Sequence, residues 1–459
     1  MKIYLRDIKE RFPEFEIRNY DDNAYFVGFN HDSRTIKSNE IFIPIVGDNF
    51  DGHDFILQAL KDGASMSICE SKKSLLVKDA TKPVILVYTI KEGLQKILNH
   101  SLSSINAPIV GITGSAGKTT TRKMLTTILS GEGEVLSTEG NNINTVWGNA
   151  VLLSQYTDEK YIVLECGMDH AGEIAWHMNS VDPDLGILLN VGYVHAENLG
   201  SIEKVYEEKK NMADYLNKTG KPLVLNIDDD RLVRIAKTYT AKLITFGKKE
   251  NSDYKIFESN MRRDGLFVKF SFQGQVYEFG INAFGEGLAY NAVAAIAAAH
   301  ELGMSLEKCV SNIKRFVPEK GRFEIVDLNN AGVIVNDAYN ANPISMDMSL
   351  KTFNKLFPKD EYHRIVVLGD MKELGDVASE KHMELGKLVK ELEFNETYYI
   401  GDYFNDFNFG TEVKSIDEIV TLLKEQMSHV TQKVAILCKG SHSTGLYQIP
   451  EFVNPLCSQ

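Results

Sequence analysis

The chain reads as a three-domain α/β protein. A small α/β N-terminal domain precedes a central P-loop domain with a mostly parallel sheet and a C-terminal doubly wound sheet of the dinucleotide-binding type. Three observations predict this. At 459 residues the chain is too long for one hydrophobic core, since domains run to roughly 100–200 residues. Continuous apolar runs alternate with helical patterns beyond residue 105, as parallel strands and their crossover helices do. Finally, Ile112-Thr113-Gly114-Ser115-Ala116-Gly117-Lys118-Thr119-Thr120-Thr121 joins one such run to one such helix through a glycine-bearing turn.

Composition narrows the function class. A formal net charge of −13 argues against nucleic acid or an anionic membrane as partner, because both call for a basic face, while a local cationic pocket stays compatible with it. The five cysteines (Cys69, Cys166, Cys309, Cys438 and Cys457) lie far apart, in odd number and without metal-ligand spacing. Buried thiols in a reducing compartment look like this. Met1-Lys2-Ile3-Tyr4-Leu5-Arg6-Asp7 lacks the apolar core of a secretory signal, and no apolar run is long enough for a membrane span. A cytoplasmic, monomeric enzyme without membrane insertion is expected.

Residues 1–104 mix short strands and helices and form the expected N-terminal domain. In it, Asp32-Ser33-Arg34 sets a hydroxyl beside a guanidinium, a pair suited to a phosphate or a uracil edge. Gly47-Asp48-Asn49-Phe50-Asp51-Gly52-His53-Asp54-Phe55 reads as a turn into a helix starting near Asp54. Each also reads as ordinary turn chemistry. Residues 103–108 read as a linker into the central domain, 105–317. Its apolar runs at 161–165, 185–190 and 222–227 predict buried parallel strands. Residues 267–272 and 276–279 flank Gln273-Gly274-Gln275 as a hairpin would. The alanine-rich stretch 291–302 predicts a helix by propensity. Past Pro318-Glu319-Lys320-Gly321-Arg322, the C-terminal domain, 318–459, repeats the βα alternation with strands at 333–336, 365–368, 397–400 and 434–438. It lacks Gly-x-Gly-x-x-Gly, so no dinucleotide is implied.

The chemistry begins at the P-loop. An apolar run, 108–112, reads as a strand, and Met124, Leu125, Ile128 and Leu129 fall on one face of the helix that follows. Glycines let backbone N–H groups turn onto phosphate oxygens, and the helix N-terminus adds positive potential. Lys118 would bridge the β- and γ-phosphates, and the Thr119 hydroxyl would ligate Mg²⁺. The strict spacing asks for glycine at position 112, where isoleucine stands, so the motif is met in part. A bound nucleoside triphosphate is the expectation. Glu165 ends a buried strand, where it could hold Mg²⁺ or be satisfied by backbone donors at a helix start. His195 follows another buried strand and reads equally as a structural histidine. Lys209 and Lys210 lie in a charged helix, 203–216, that otherwise reads as a solvated face.

Six motifs stand in a recognisable order. They are the stretch from Thr113 to Thr121, Glu165-Cys166-Gly167-Met168-Asp169-His170-Ala171-Gly172-Glu173-Ile174, Gly321-Arg322, Asn336-Asp337-Ala338-Tyr339-Asn340-Ala341-Asn342-Pro343, Leu368-Gly369-Asp370-Met371-Lys372-Glu373-Leu374-Gly375, and Lys439-Gly440-Ser441. The series resembles that of the Mur ligases, and the likeness takes in Asp32-Ser33-Arg34 and Asp51-Gly52-His53-Asp54-Phe55 at the front. In detail it is similar to the members that add D-alanyl-D-alanine to a UDP-N-acetylmuramoyl-tripeptide. The resemblance implies an ATP-dependent amide ligase working through an acyl phosphate.

It also implies roles. Residues 1–104 would bind the UDP-sugar through Ser33, Arg34, Asp51 and His53, with Asn141 and Asn144 approaching from the central domain. Gly114, Ser115, Ala116, Gly117, Lys118, Thr119 and Thr120 would cradle ATP, with Asn291 at the adenine. Two Mg²⁺ ions would be held: Thr119 on the first, Glu165 between both, His195 on the second. A CO₂-derived carbamate on Lys209, with Lys210 as the alternative, would complete the second site. Arg322 would reach the ATP phosphates, Asp337 the ribose hydroxyls and Asn340 the neighbourhood of the phosphates. Residues 318–459 would receive D-alanyl-D-alanine.

Two stretches depart from the family pattern. Gly285-Glu286-Gly287-Leu288-Ala289-Tyr290-Asn291 lacks the histidine and first asparagine of Gly-x-His-Asn. Asn141-Asn142-Ile143-Asn144-Thr145-Val146-Trp147 stands where the family shows Asn-x-Asn-Asn-Glu-Ile-Gly. A ligase with an altered acyl substrate is therefore the second expectation. The central segment alone would also serve a regulatory NTPase.

Overall fold

Strands that are apolar on both faces need helices above and below them, and the sequence supplies one after nearly every strand. The computed structural model describes residues 2–47, 50–138, 144–194, 196–262, 264–404 and 410–453. The N-terminal sheet orders its strands Glu16–Arg18, Val84–Val87, Met66–Glu70, Glu40–Phe42 and Gly28–Asn30. The first pair is antiparallel and the rest parallel. The helix expected near Asp54 starts as a 3₁₀ turn, Gly52–Phe55, and continues as Ile56–Asp62.

The central sheet has nine strands. From one edge they run Val135–Ser137, Tyr161–Glu165, Ile109–Thr113, Leu185–Leu188, Leu223–Asn226, Leu243–Gly247, Tyr254–Arg262, Gly265–Phe272 and Gln275–Ile281. Pairing is parallel as far as Tyr254–Arg262 and antiparallel beyond it. The expected hairpin forms, with Gln273 at φ 49° and Gly274 at φ 82°. Two consecutive left-handed residues match the twist of the flanking strands. Sequence reasoning missed Leu243–Gly247 and Tyr254–Arg262. The second is buried only near its start, so its far end shows no apolar pattern.

Two helices, Lys118–Leu129 and Gly287–Glu301, cover one face of this sheet. Ala292, Ala294, Ala295, Ala297, Ala298 and Ala299 are all fully buried, and their small side chains let the second helix lie close to its neighbours. The strands Tyr161–Glu165 and Leu185–Leu188 follow one another in the chain yet pair on opposite sides of Ile109–Thr113. Such a switch opens a crevice at the carboxyl ends of the strands.

The C-terminal sheet runs Glu324–Asp327, Gly332–Asn336, Lys433–Lys439, Tyr362–Gly369, Glu396–Ile400 and Thr411–Glu412. Only its first pair is antiparallel. All four expected strands are present. The N-terminal and central sheets share a core in which Phe29, Ile109, Ala150 and Ile162 meet. The C-terminal part reaches the central crevice through Ile344, which packs on Gly192, and Asn342, whose amide donates to Ser115 O at 3.4 Å.

Candidate functional site

The phosphate loop sits at the mouth of the crevice. Gly117 caps the helix Lys118–Leu129 at φ 85°, a left-handed conformation that glycine adopts without strain. A Cβ there would lie 2.5 Å from the Asn291 side-chain oxygen. Asn291, expected at the adenine, thus stands directly behind the phosphate loop. The loop is braced from its other side by Asn190, which accepts from Ala116 N–H at 2.8 Å and donates to Ala116 O at 3.0 Å. The Ser115 hydroxyl is exchanged with Gly192, donating to its carbonyl and accepting from its N–H. Lys118 curls back to donate to Gly114 O at 2.8 Å. Burial pulls its ammonium below the usual lysine range, Glu165 opposing and Arg322 adding to the effect.

Glu165 is buried at the end of its strand, level with Ile112. Side chains rather than backbone donors satisfy it. The Thr119 hydroxyl donates to one carboxylate oxygen at 3.1 Å, and Arg122 Nε to the other at 2.9 Å. Arg122 is itself only 4% exposed. Its other nitrogens donate to Ser137 Oγ at 3.3 Å and to Glu319 Oε1 at 2.6 Å. Sequence reasoning missed Arg122. The signal was its spacing: three residues after Thr119, it lies on the same helix face.

Lys209 and Lys210 part company. Lys209 is 1% exposed, and the Met168 thioether, at 3.8 Å, is the side-chain contact of its nitrogen. Burial drives its pKa well below the lysine range; Lys118 adds to this and Glu208 opposes it. Lys210 instead pairs with Asp214 one turn on, at 2.6 Å. Glu208, also buried, accepts from Gly172 and Ile174 N–H at 2.8 and 2.7 Å, fastening the turn after Glu165 to this helix. The Lys209 reading as a solvated face is therefore wrong for this residue and right for Lys210.

Two clefts open on either side of the helix start. One, about 300 Å³, is lined by Thr119, Thr120, Lys123, Leu288, Glu319 and Arg322, with Phe316 and Pro318. It pairs apolar walls with cations. The Arg322 guanidinium lies 4.0 Å from the Tyr339 ring centre, and its buried Nε has no hydrogen-bond partner among the described residues. The other cleft, about 470 Å³, runs from Lys118 past Asn144, Asp169 and Glu173 to Trp147 and Trp176. The two indoles meet edge to face, 4.6 Å between ring centres. His177 lines its floor, and burial pushes its pKa down to about 4. The aromatic pair was missed, although Trp147 lies in one of the two divergent motifs.

Other expected residues are placed as follows. Asp337 accepts from Phe323 N–H at 3.0 Å and pairs with buried Lys439 at 2.8 Å. Asn340 caps Ala341 N–H through its side-chain oxygen at 2.8 Å. In the N-terminal sheet, Arg34 forks onto Asp32 at 2.7 and 2.9 Å in an exposed turn that carries Ser33. Its guanidinium thus faces a carboxylate of its own turn. His53 is buried; it accepts from Glu70 N–H through Nε2 at 3.2 Å, so Nδ1 donates to Asp51 at 2.7 Å. Asp51 also pairs with Lys73. Ser33, Arg34, Asp51 and His53 stay on the N-terminal sheet, apart from the phosphate-loop cluster. Asn141 and His195 lie outside the described residues. No helix of the described residues is long and apolar enough to cross a membrane.

Comparison with known proteins gives the same picture. The chain matches the Mur ligase family catalytic domain at residues 25–101, the Mur ligase middle domain at 112–299 and the Mur ligase glutamate ligase domain at 321–442. It is 29% identical over 410 residues to a UDP-N-acetylmuramoyl-tripeptide–D-alanyl-D-alanine ligase of Bacillus subtilis, covering 89% of this chain and 86% of that one. A Synechocystis protein of the same name is 29% identical over 457 residues, covering 97% and 96%. Among solved structures, MurF ligase from Thermotoga maritima in complex with ADP superposes with a TM-score of 0.81 at 26% identity, covering 93% and 96%. MurF from Acinetobacter baumannii reaches 0.88 at 24% identity and 99% coverage of both chains.

Proposed function

The chain belongs to the Mur ligase family, and from that premise we propose that it joins D-alanyl-D-alanine to a UDP-N-acetylmuramoyl-tripeptide, converting ATP to ADP and phosphate. The observation that carries this reading is that two consecutive residues at the helix start, Lys118 and Thr119, line two different clefts. Thr119 and Arg322 face the cleft that suits a nucleotide, and Lys118 opens into the one that suits the carboxylate end of a peptide. A phosphoryl group leaving ATP would pass from the first to the second at Lys118. Residues 1–104 are assigned to the UDP-sugar, 105–317 to ATP and 318–459 to the incoming dipeptide.

A carboxylate is a poor acyl donor because its oxygen is a poor leaving group. Taking the γ-phosphoryl of ATP onto that oxygen gives an acyl phosphate and ADP. The dipeptide amine then attacks the carbonyl carbon, loses a proton, and phosphate leaves. Lys118 and Arg322 offset the repulsion between carboxylate and triphosphate, and Lys118 can follow the charge onto the tetrahedral centre. Asn190 braces the loop through Ala116, and Asn291 stands against Gly117 on its other side.

Mg²⁺ fits the donors present. Thr119 Oγ1 and Glu165 Oε2 are hard oxygens 3.1 Å apart at the helix start. Bound there, the metal would withdraw charge from the phosphoryl oxygens. Thr119 and Glu165 are assigned to it, with Glu165, His195 and a carbamate on Lys209 assigned to a second ion. Among the described residues no three His, Cys, Asp or Glu side chains cluster for an ion, so a carbamate would add the oxygen donors that Mg²⁺ prefers. Burial favours the neutral Lys209 amine, and only the neutral amine has the lone pair that adds CO₂.

The test is phosphate release over a panel of UDP-muramoyl peptides differing in the third residue, with and without D-alanyl-D-alanine. Release that needs both substrates is expected. Equal ATP turnover without the amine would replace the ligase reading with a regulatory NTPase.

A further inference from the structure

We propose that Arg122 is a positioning residue that locks the Glu165 carboxylate to the connector leading into the C-terminal part of the chain. One buried guanidinium makes both links: Nε to Glu165 at 2.9 Å and a terminal nitrogen to Glu319 at 2.6 Å. Ser137 at 3.3 Å takes the remaining nitrogen. Glu319 belongs to the segment from Pro318 to Arg322, and Arg322 N–H donates to Glu319 O at 3.2 Å. Glu319 and Arg322 also line the cleft shared with Thr119 and Thr120. A displacement of that connector therefore pulls on the guanidinium that orients Glu165.

The geometry divides the labour of the carboxylate. Arg122 occupies one oxygen of Glu165 and leaves the other beside Thr119. Planar, bidentate-capable arginine can serve two acids in fixed directions, whereas lysine offers a single flexible ammonium. The consequence is that nucleotide arriving against Arg322 and Glu319 presets the carboxylate beside Thr119. This rests on the assignment of Glu165 to Mg²⁺.

The experiment compares Arg122→Lys, Glu319→Gln, the double variant and Glu165→Gln. It measures ADP binding by calorimetry at stepped Mg²⁺ concentrations, together with kcat and KM for ATP in the full reaction. Glu319 is partly exposed, so Glu319→Gln keeps the fold even where a change at Arg122 lowers the melting temperature. In Arg122→Lys the Mg²⁺ needed for half-maximal ADP binding should rise about tenfold, the scale of a lost supporting contact to a metal ligand. Glu319→Gln should lower kcat several-fold and shift the Mg²⁺ requirement in the same direction. The double variant should be no worse than Arg122→Lys, because both changes cut one bridge. Wild-type kcat and Mg²⁺ dependence in Glu319→Gln, or fully additive effects in the double variant, would overturn the bridge. If Glu165→Gln itself leaves the Mg²⁺ requirement unmoved, the metal assignment falls and the proposal with it. A shifted Glu165→Gln beside unshifted Arg122→Lys and Glu319→Gln overturns the bridge alone.

Discussion

Two adjacent lysines carry the lesson at the scale of the residue. Lys209 and Lys210 are chemically identical and about 100° apart on one helix. Val205, Lys209, Met212 and Leu216 form its buried stripe, so Lys209 is forced inside and Lys210 stays with Asp214. The stripe was legible in the sequence, but charge composition masked it. Lys209→Ala should lower turnover by roughly 10²-fold or more, the scale of losing an oriented charge in a water-poor site. A short-chain carboxylic acid should restore part of that loss, and Lys210→Ala should be mild. Wild-type turnover in a folded Lys209→Ala would remove the carbamate from the mechanism. His177 offers a pH test. Folded, it stays neutral down to about pH 4 because burial disfavours its charged form. Unfolded, it takes a proton near pH 6.5. The unfolded state therefore binds more protons between those values, and acid should destabilise the fold by up to about 3 kcal/mol across the window. In His177→Gln the fall in melting temperature from pH 6.5 to 4 should be shallower; parallel curves would refute the assignment.

At the scale of the element, the strand–loop–helix unit was the most readable part of the chain. Ile109–Thr113 lies within a residue of its expected place, and Met124, Leu125, Ile128 and Leu129 form the buried face of Lys118–Leu129 as expected. Local rules decide such a unit: an apolar run, a glycine turn and one helical face. The loop's exact shape rests on tertiary partners, Asn190 on one side and Asn291 on the other. Gly117→Ala should cost about 1–2 kcal/mol for the left-handed backbone alone, more for the Cβ against Asn291, and should weaken ADP binding at least as much as it lowers stability. Adding Asn291→Ala should relieve the contact but not the backbone strain. Calorimetric ADP affinity equal to wild type in Gly117→Ala would show that the loop tolerates a side chain there.

At the scale of the molecule, substrate sites assigned to three sheets must converge for in-line transfer. Among the described residues, the polar links between the central and C-terminal parts include Asn342 to Ser115, Glu197 N–H to Glu373 O at 3.2 Å, Lys355 to Glu286 at 3.2 Å and Arg122 to Glu319 at 2.6 Å. Links of this polar, side-chain kind can be exchanged as domains rotate. Small-angle scattering should record a smaller radius of gyration when ATP, the UDP-muramoyl peptide and the dipeptide are added together. An unchanged value with all ligands bound would mean that the domains are already set for reaction.

The sequence alone settled the α/β class, the strand–turn–helix unit around Gly117, four C-terminal strands and the order of motifs that marks the family. These features are local or periodic, and chain neighbours decide them. Which lysine turns inward, what satisfies Glu165, where Asn291 sits and what Asp337 bonds to were decided only by the tertiary structure. Arg122 meets Glu319 across 197 residues of chain, and His53 finds its second partner at Glu70, on a strand that its own turn does not specify. Buried polar groups must find partners wherever the fold brings them, and the fold selects those partners from segments far apart in the chain.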